Sequence, residues 1–186
     1  MLIALMLLVA SDWQLVGEKN GVRVEARLPQ GRKFEQVRVT TTVTQTPELL
    51  CAKLWTIKVK QKTMQLEQVL KETANQRVMY CQVKTPVVSD RDYTIQFDRS
   101  YDPATKVCEI AFHTVNDQGP PPKDAFVRLP VVEGSWIGEP DGATTLLSYI
   151  VYSEPGGWIA PWIAKNALRD ATLDWVIATA ALLKDK

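Results

Sequence analysis

The sequence predicts an α+β domain in which a run of antiparallel strands is closed by one long C-terminal helix. Three observations predict it. Successive segments alternate apolar and polar residues with the period of two of a half-buried strand. Turn signals separate these segments at short intervals, so sequence neighbours pair as hairpins. The last stretch, from Trp158 to about Leu183, switches to apolar spacings of three and four.

The elements follow in order. VRVEARL sets Val22, Val24, Ala26 and Leu28 on one side and Arg23, Glu25 and Arg27 on the other. Gln30-Gly31 supplies a turn, and KFEQVRVTTTV, from Lys33 to Val43, is the β-branched partner strand. Thr46-Pro47-Glu48 starts a short helix, with a capping hydroxyl before a first-turn proline. Strands resume with QLEQVLKET near Leu66, then RVMYCQVKT, RDYTIQFDRSY and KVCEIAFHTV. The loop from Asn116 to Asp124 holds Pro120, Pro121 and Pro122, which make it stiff and extended. AFVRLPVVEGSWIG and ATTLLSYIVYSE form two more strands joined by the Pro140-Asp141-Gly142 turn, and Pro155-Gly156-Gly157 stops the second. In the helix, Ala164, Leu168, Ala171, Trp175, Ala178 and Leu182 form one row. Thr172, Val176, Thr179 and Leu183 lie beside it, so the apolar stripe is wide.

Composition bounds the function. A chain of 186 residues with 46% hydrophobic content fits one domain with a sizeable core, over residues 12–186. A net charge of +1 with no basic run excludes a nucleic-acid footprint. Residues 1–11 open with MLIALMLLVA and read as the apolar region and cleavage site of a secretory signal, although no Lys or Arg precedes them. The segment is too short to span a bilayer, and its alternative is an apolar arm folded on the domain. With cleavage the protein is periplasmic or secreted; otherwise it is cytoplasmic. The three cysteines, Cys51, Cys81 and Cys108, are odd in number and form no CxxC, which argues against a zinc site or a disulfide framework. Buried free thiols are expected, with a Cys81–Cys108 pair as the alternative in an exported protein. Six tryptophans exceed what a core of this size needs and fit either a grip on a large apolar ligand or contact with a membrane; the competing reading is plain core.

No catalytic constellation stands out. His113 is the single histidine and has no Asp or Ser partner by spacing. Asp90 and Asp92 flank Arg91, and no carboxylate pair for acid–base work is read there. There is no GxSxG, no phosphate-binding glycine loop and no zinc motif, so no catalytic residue, metal or cofactor is expected.

The arrangement suggests a pocket. Strands of ten or more residues run beyond about 30 Å, and a sheet of that height twists and curls. A helix of about 26 residues, near 40 Å long, lies along its concave face without having to fill the space between. A buried acyl chain would contribute about 0.8 kcal/mol per methylene.

Three segments resemble a known family. TPVVSDRDY, from Thr85 to Tyr93, resembles the P-x-x-x-x-RDF/Y motif of StAR-related lipid transfer (START) domains. GGWIAPWIAKN, from Gly156 to Asn166, resembles the family's GG-x-IP-x-WL-x-N lead into the C-terminal helix, and WQLVGEKNGVRV, from Trp13 to Val24, is similar to its first strands. The resemblance spans nearly the whole chain, in the right order, and is to a stand-alone member of bacterial type. It implies a helix-grip fold, with a curved antiparallel sheet wrapped around the long C-terminal helix and an internal apolar pocket. It further implies non-enzymatic binding, and transfer between membranes, of one lipid or other apolar molecule. Helix-grip cyclases and aromatases make catalysis on an apolar substrate the alternative, which requires His113, Tyr93 or Tyr149 to converge in the pocket. A protein-interaction module, with a filled core and an exposed apolar patch, is a third reading. The sequence departs from the family at Pro161, one residue late, and at Phe97, where sterol-binding members carry a second basic residue. The Phe97 departure favours a more apolar pocket.

The resemblance places Arg91 at the polar end of the pocket; a structural salt bridge is the competing role. Tyr93, Ile95 and Phe97 share a strand face, and Phe112, Tyr149 and Val151 stand on neighbouring strands. From the helix, Trp162, Asn166, Leu173 and Trp175 are expected at the ligand. Trp158, Ile159 and Trp162, together with Pro121 of the proline loop, are expected to form a gate that meets a membrane surface. The expected partners are an apolar small molecule and a transient membrane, with no nucleic acid and a monomeric protein.

Overall fold

The computed structural model describes residues 12–59, 63–85 and 88–184. The leader at residues 1–11, and Pro86 and Val87 of the RDY-containing motif, lie outside the described residues. Among the described residues no helix is long and apolar enough to cross a membrane.

The chain opens with β1 (Gln14–Lys19), β2 (Val22–Arg27) and β3 (Gln36–Val43), followed by α1 (Pro47–Thr56). Asn20 and Gly21 both take positive φ, 54° and 74°, which is the twist a two-residue hairpin needs between β1 and β2. At α1 the Thr46 hydroxyl accepts a hydrogen bond from the Leu49 amide, and Pro47 sits where a missing N–H costs nothing. Then come β4 (Met64–Glu72), β5 (Gln76–Val83), β6 (Asp90–Asp102) and β7 (Val107–Thr114). After a short 3-10 turn at Asn116–Gln118 the chain forms β8 (Phe126–Arg128), β9 (Val131–Asp141), β10 (Thr144–Glu154) and finally α2 (Pro161–Lys184).

The strands form one sheet in the order β1-β2-β3-β10-β9-β7-β6-β5-β4, with β8 pairing off this path against β6. Every pairing along the path is antiparallel, and β8 alone runs parallel to its neighbour. The sheet closes over α2, which packs chiefly against β3, so the predicted helix grip is the fold observed.

Four expectations are corrected. The stretch from Ala125 to Gly138 is not one strand: Pro130, which has no N–H to donate, separates β8 from β9. The helix begins at Pro161 rather than Trp158, because Gly156 and Gly157 take positive φ, 60° and 57°, to turn the chain beforehand. A Cβ on Gly156 would sit 2.7 Å from the Arg128 carbonyl oxygen, so glycine is required there twice over. Leu182 is exposed, since the buried seam of α2 runs through Thr172, Val176, Thr179 and Leu183.

The cysteines differ most. Cys51 on α1 and Cys108 on β7 form a disulfide, with Cα atoms 5.5 Å apart, and Cys81 is the buried free thiol. The pairing arises because α1 packs down onto β7, a tertiary contact that spacing does not encode. Cys81 lies opposite Tyr93 and Cys108 opposite Tyr101 on the strand between them. That offset is about 26 Å along β6, too far for the Cys81–Cys108 pair.

Candidate functional site

A cavity of about 570 Å³ lies between the first half of α2 and the adjoining end of the sheet. Its origin is side-chain size. Ala164, Ala167 and Ala171, with Leu168 among them, face it from the helix, and methyl groups at those positions leave open the space a leucine would fill. Val83 and Leu129 oppose them from the sheet side, so the wall is mainly apolar.

Of the charged residues on the wall, Lys33, Glu35, Lys84, Arg91 and Lys165, Arg91 is the buried one, a guanidinium that is 5% exposed. Its Nη1 donates to the Ser89 carbonyl and its Nε donates to the Pro155 carbonyl at 3.4 Å. Among the described residues no carboxylate lies within ion-pair distance of it, so the competing salt-bridge role is not the one it takes. Burial pushes its pKa down, and the neighbouring Asp90 charge opposes the shift.

The salt bridge belongs to Asp92 instead. Strand alternation turns Asp92 to the opposite face, where Arg128 grips both carboxylate oxygens at 2.8 Å and the Tyr80 hydroxyl donates to one of them at 2.9 Å. Burial alone would raise the Asp92 pKa, but these donors outweigh it and hold the group below its ordinary range. The network fastens β8 and, through a 3.1 Å bond from Arg128 to the Pro120 carbonyl, the proline loop. At the rim, Glu35 receives Lys165 at 2.9 Å and Arg169 at 2.6 Å, tying α2 to the segment before β3.

The predicted site residues divide. Arg91, Ile159 and Trp162 line the main cavity. Phe97 and Trp175 line a second cavity of about 120 Å³, deeper along α2 and beneath α1. Ile95, Phe112, Tyr149 and Val151 are buried in the packed layer and stand in the wall of neither. Phe112 and Tyr149 belong to a stack with Phe97, Trp136 and Trp175, whose neighbouring ring centroids are 4.4 to 6.3 Å apart. Tyr93 is half-buried, hydrogen-bonded to the Cys81 thiol, and its pKa is driven upward chiefly by burial. The same burial pushes the Cys81 thiol up to about 12, which leaves it un-ionised and inert at neutral pH. Leu173 packs on the core, whereas Asn166 is exposed to solvent.

Trp158 is 89% exposed and Trp162 66%, and Leu28, on the cavity wall, is 63% exposed. Pro121 is exposed on the loop fastened by Arg128 and lines neither cavity. His113 is exposed, opposite Gln96. Among the described residues no group of three or more His, Cys, Asp or Glu is placed to hold a metal. The reading from sequence missed Val83, Leu129 and the alanines. Only the alanines carried a signal: small residues recurring at helical spacing on an inward face.

No family model matches the chain. An uncharacterized protein of Pseudomonas aeruginosa is 27% identical over 172 residues, covering 89% of this chain and 84% of that protein. Among solved structures, a fragment of a STAR-related lipid transfer protein from Xanthomonas axonopodis superposes with a TM-score of 0.80 at 20% identity, covering 92% of this chain and 98% of that one. Human StAR-related lipid transfer protein 5 gives 0.77 at 16% identity, covering 93% and 86%. An aromatase/cyclase from Streptomyces is more distant, at 0.52 and 18% identity, covering 80% and 90%. The fold is that of the START domains.

Proposed function

We propose that the chain binds one amphiphilic lipid in the 570 Å³ cavity and carries it between membranes, with the apolar part along the alanine face of α2 and a polar or anionic group at Arg91. The observation that carries this reading is the buried Arg91 guanidinium on an apolar wall with no carboxylate partner among the described residues. A guanidinium has five N–H donors and a buried charge calls for a counter-charge, so a headgroup oxygen suits it. The volume lies in the range of ligand pockets, roughly 300–1,000 Å³. Ten buried methylenes would supply about 8 kcal/mol before the costs of association. The names of the lipid transfer proteins that share the fold support a lipid cargo.

The exposed Trp158 and Trp162, with Lys33, Lys84 and Lys165 along the cavity wall, suit transient docking of a monomer on an anionic bilayer surface. The buried Cys51–Cys108 disulfide and the apolar leader support folding in an oxidising compartment, periplasmic or secreted. The enzymatic alternative calls for His113, Tyr93 and Tyr149 to converge. The exposure of His113 and the place of Tyr149 in the ring stack favour carriage instead.

Mass spectrometry of an organic extract of the purified protein tests the reading. About one lipid per chain is expected. Arg91→Met should reduce retention of that lipid about tenfold to a hundredfold, the worth of a charge-assisted hydrogen bond. A lipid-free protein, or equal retention by the variant, would refute the assignment.

A further inference from the structure

Residues 28–35, between β2 and β3, form a strap along one side of the main cavity. Its tip is a closed turn, with Gly31 at a φ of 74° and the Arg32 amide donating to the Pro29 carbonyl at 3.1 Å. On the sheet side Arg32 holds the strap down. Its guanidinium pairs with Glu133 at 2.5 Å and with Glu154 at 3.8 Å, and lies 4.5 Å from the centre of the Tyr152 ring. On the helix side a single carboxylate does the holding. Glu35 receives both Lys165 and Arg169, and among the described residues these two are the ion pairs that α2 makes.

The helix-side attachment is the weaker one. The Lys165 side chain is 43% exposed and those of Glu35 and Arg169 are 22% exposed, so water screens the pairs and each contributes little. The Nε of Arg169 is buried without a hydrogen-bond partner, so closing the strap on the helix leaves one donor unsatisfied. Behind the ion pairs the seam is apolar: Leu28 and Phe34 of the strap line the same cavity as Trp162 and Ala164 of α2. Trp162, Lys165 and Arg169 follow one another at spacings of three and four, which puts them on one side of the helix. A phosphate-bearing surface that meets the exposed Trp162 ring therefore meets both cations as well. It offers them oxygens of the kind that Glu35 supplies.

We infer that the seam between this strap and α2 is the entrance to the cavity and that Glu35 is its latch. An anionic bilayer competes for Lys165 and Arg169, frees Glu35 and parts the strap from the helix. The inference rests on the reading of the cavity as a lipid site, and Glu35 acts in it as a positioning residue.

Spin labels at Gln30→Cys and Asn166→Cys, two exposed positions on opposite sides of the seam, measure its width by double electron–electron resonance. Cys81 is buried and un-ionised, and takes no label. In buffer, and with phosphatidylcholine vesicles, one short distance is expected. Phosphatidylglycerol vesicles should add a longer one. Glu35→Gln should show the longer distance in buffer alone, with the open-to-closed ratio raised about twofold to thirtyfold, the worth of two partly exposed pairs that share one carboxylate. Raising the salt concentration without vesicles should shift wild type the same way and leave the variant unchanged. A distance unaltered by Glu35→Gln, or an equal response to the two kinds of vesicle, would overturn the inference. The distance is read on the protein itself, so a seam that opens as expected in a chain whose organic extract holds no lipid keeps the latch and refutes the cargo.

Discussion

The two halves of α2 serve opposite ends of the molecule. From Thr172 to Leu183 the inward face of the helix is largely packed, apart from the 120 Å³ cavity at Trp175 and Thr179: Val176 and Leu183 are fully buried, and Gln45 donates to the Leu183 carbonyl. Gln45 is itself fixed by the Thr145 hydroxyl, which donates to its carbonyl at 2.6 Å. The disulfide clamps α1 to β7 on this side. From Trp162 to Ala171 the same helix exposes Trp162 and Ile163 and presents alanines to the sheet. One continuous helix thus has a packed end and a hollow end, and the inward side chains, not the backbone, make the difference.

If the ends are independent, lesions at the packed end cost stability and spare binding, and lesions at the hollow end do the reverse. The largest effect is expected from replacing both Cys51 and Cys108 with alanine. The bridge spans a sequence separation of 57, worth about 4 kcal/mol by loop-closure entropy. Urea denaturation should show that loss with the lipid content of the folded protein intact. Lipid loss in step with the disulfide would break the comparison.

Asp92→Asn is next and is the deliberate exception, because Asp92 stands beside the hollow end yet faces away from it. Leaving Arg128 without its carboxylate should cost about 3 kcal/mol near neutral pH. The sign of the pH dependence follows from the lowered Asp92 pKa. Its stabilisation is complete above the unfolded carboxylate value of about 3.9 and is lost as pH falls through the lower folded value. Thermal melts of wild type and variant should therefore draw together as pH falls below the ordinary carboxylate range; a gap that does not narrow there would remove Asp92 as its source.

The smallest effect on stability belongs to Trp158→Ala with Trp162→Ala, within about 0.5 kcal/mol for exposed positions. Sedimentation with anionic vesicles should nonetheless show binding weakened about tenfold. Unchanged vesicle binding would confine the hollow end to cargo alone.

Most of the fold was legible because periodicity is a local property. Val22, Val24 and Ala26 announce a strand, and Thr46-Pro47 announces a helix start, before any tertiary contact is known. What was not legible depends on contacts remote in sequence. The Cys51–Cys108 pairing needs the docking of α1 on β7, and the role of Arg91 depends on Arg128, rather than Arg91, taking the nearest buried carboxylate. The START resemblance located Arg91 and Trp162, but the choice between wall and core for Phe112 or Tyr149 is settled by ring packing that no spacing reveals. Alanines escape notice for the opposite reason: they make a cavity by what they lack.

The division of labour between Arg91 and Asp92 has a consequence for variation. Adjacent residues on β6 answer to different constraints, since odd positions from 91 to 97 face inward while Asp92 and Thr94 face the segment that carries β8 and the proline loop. On the proposed reading as a lipid carrier, cargo preference can then be rewritten at Arg91 without disturbing the outer staple, and the staple can be tuned without reshaping the cavity. A single strand works as two independent dials, one for the lining of the cavity and one for how firmly the outer loop is held.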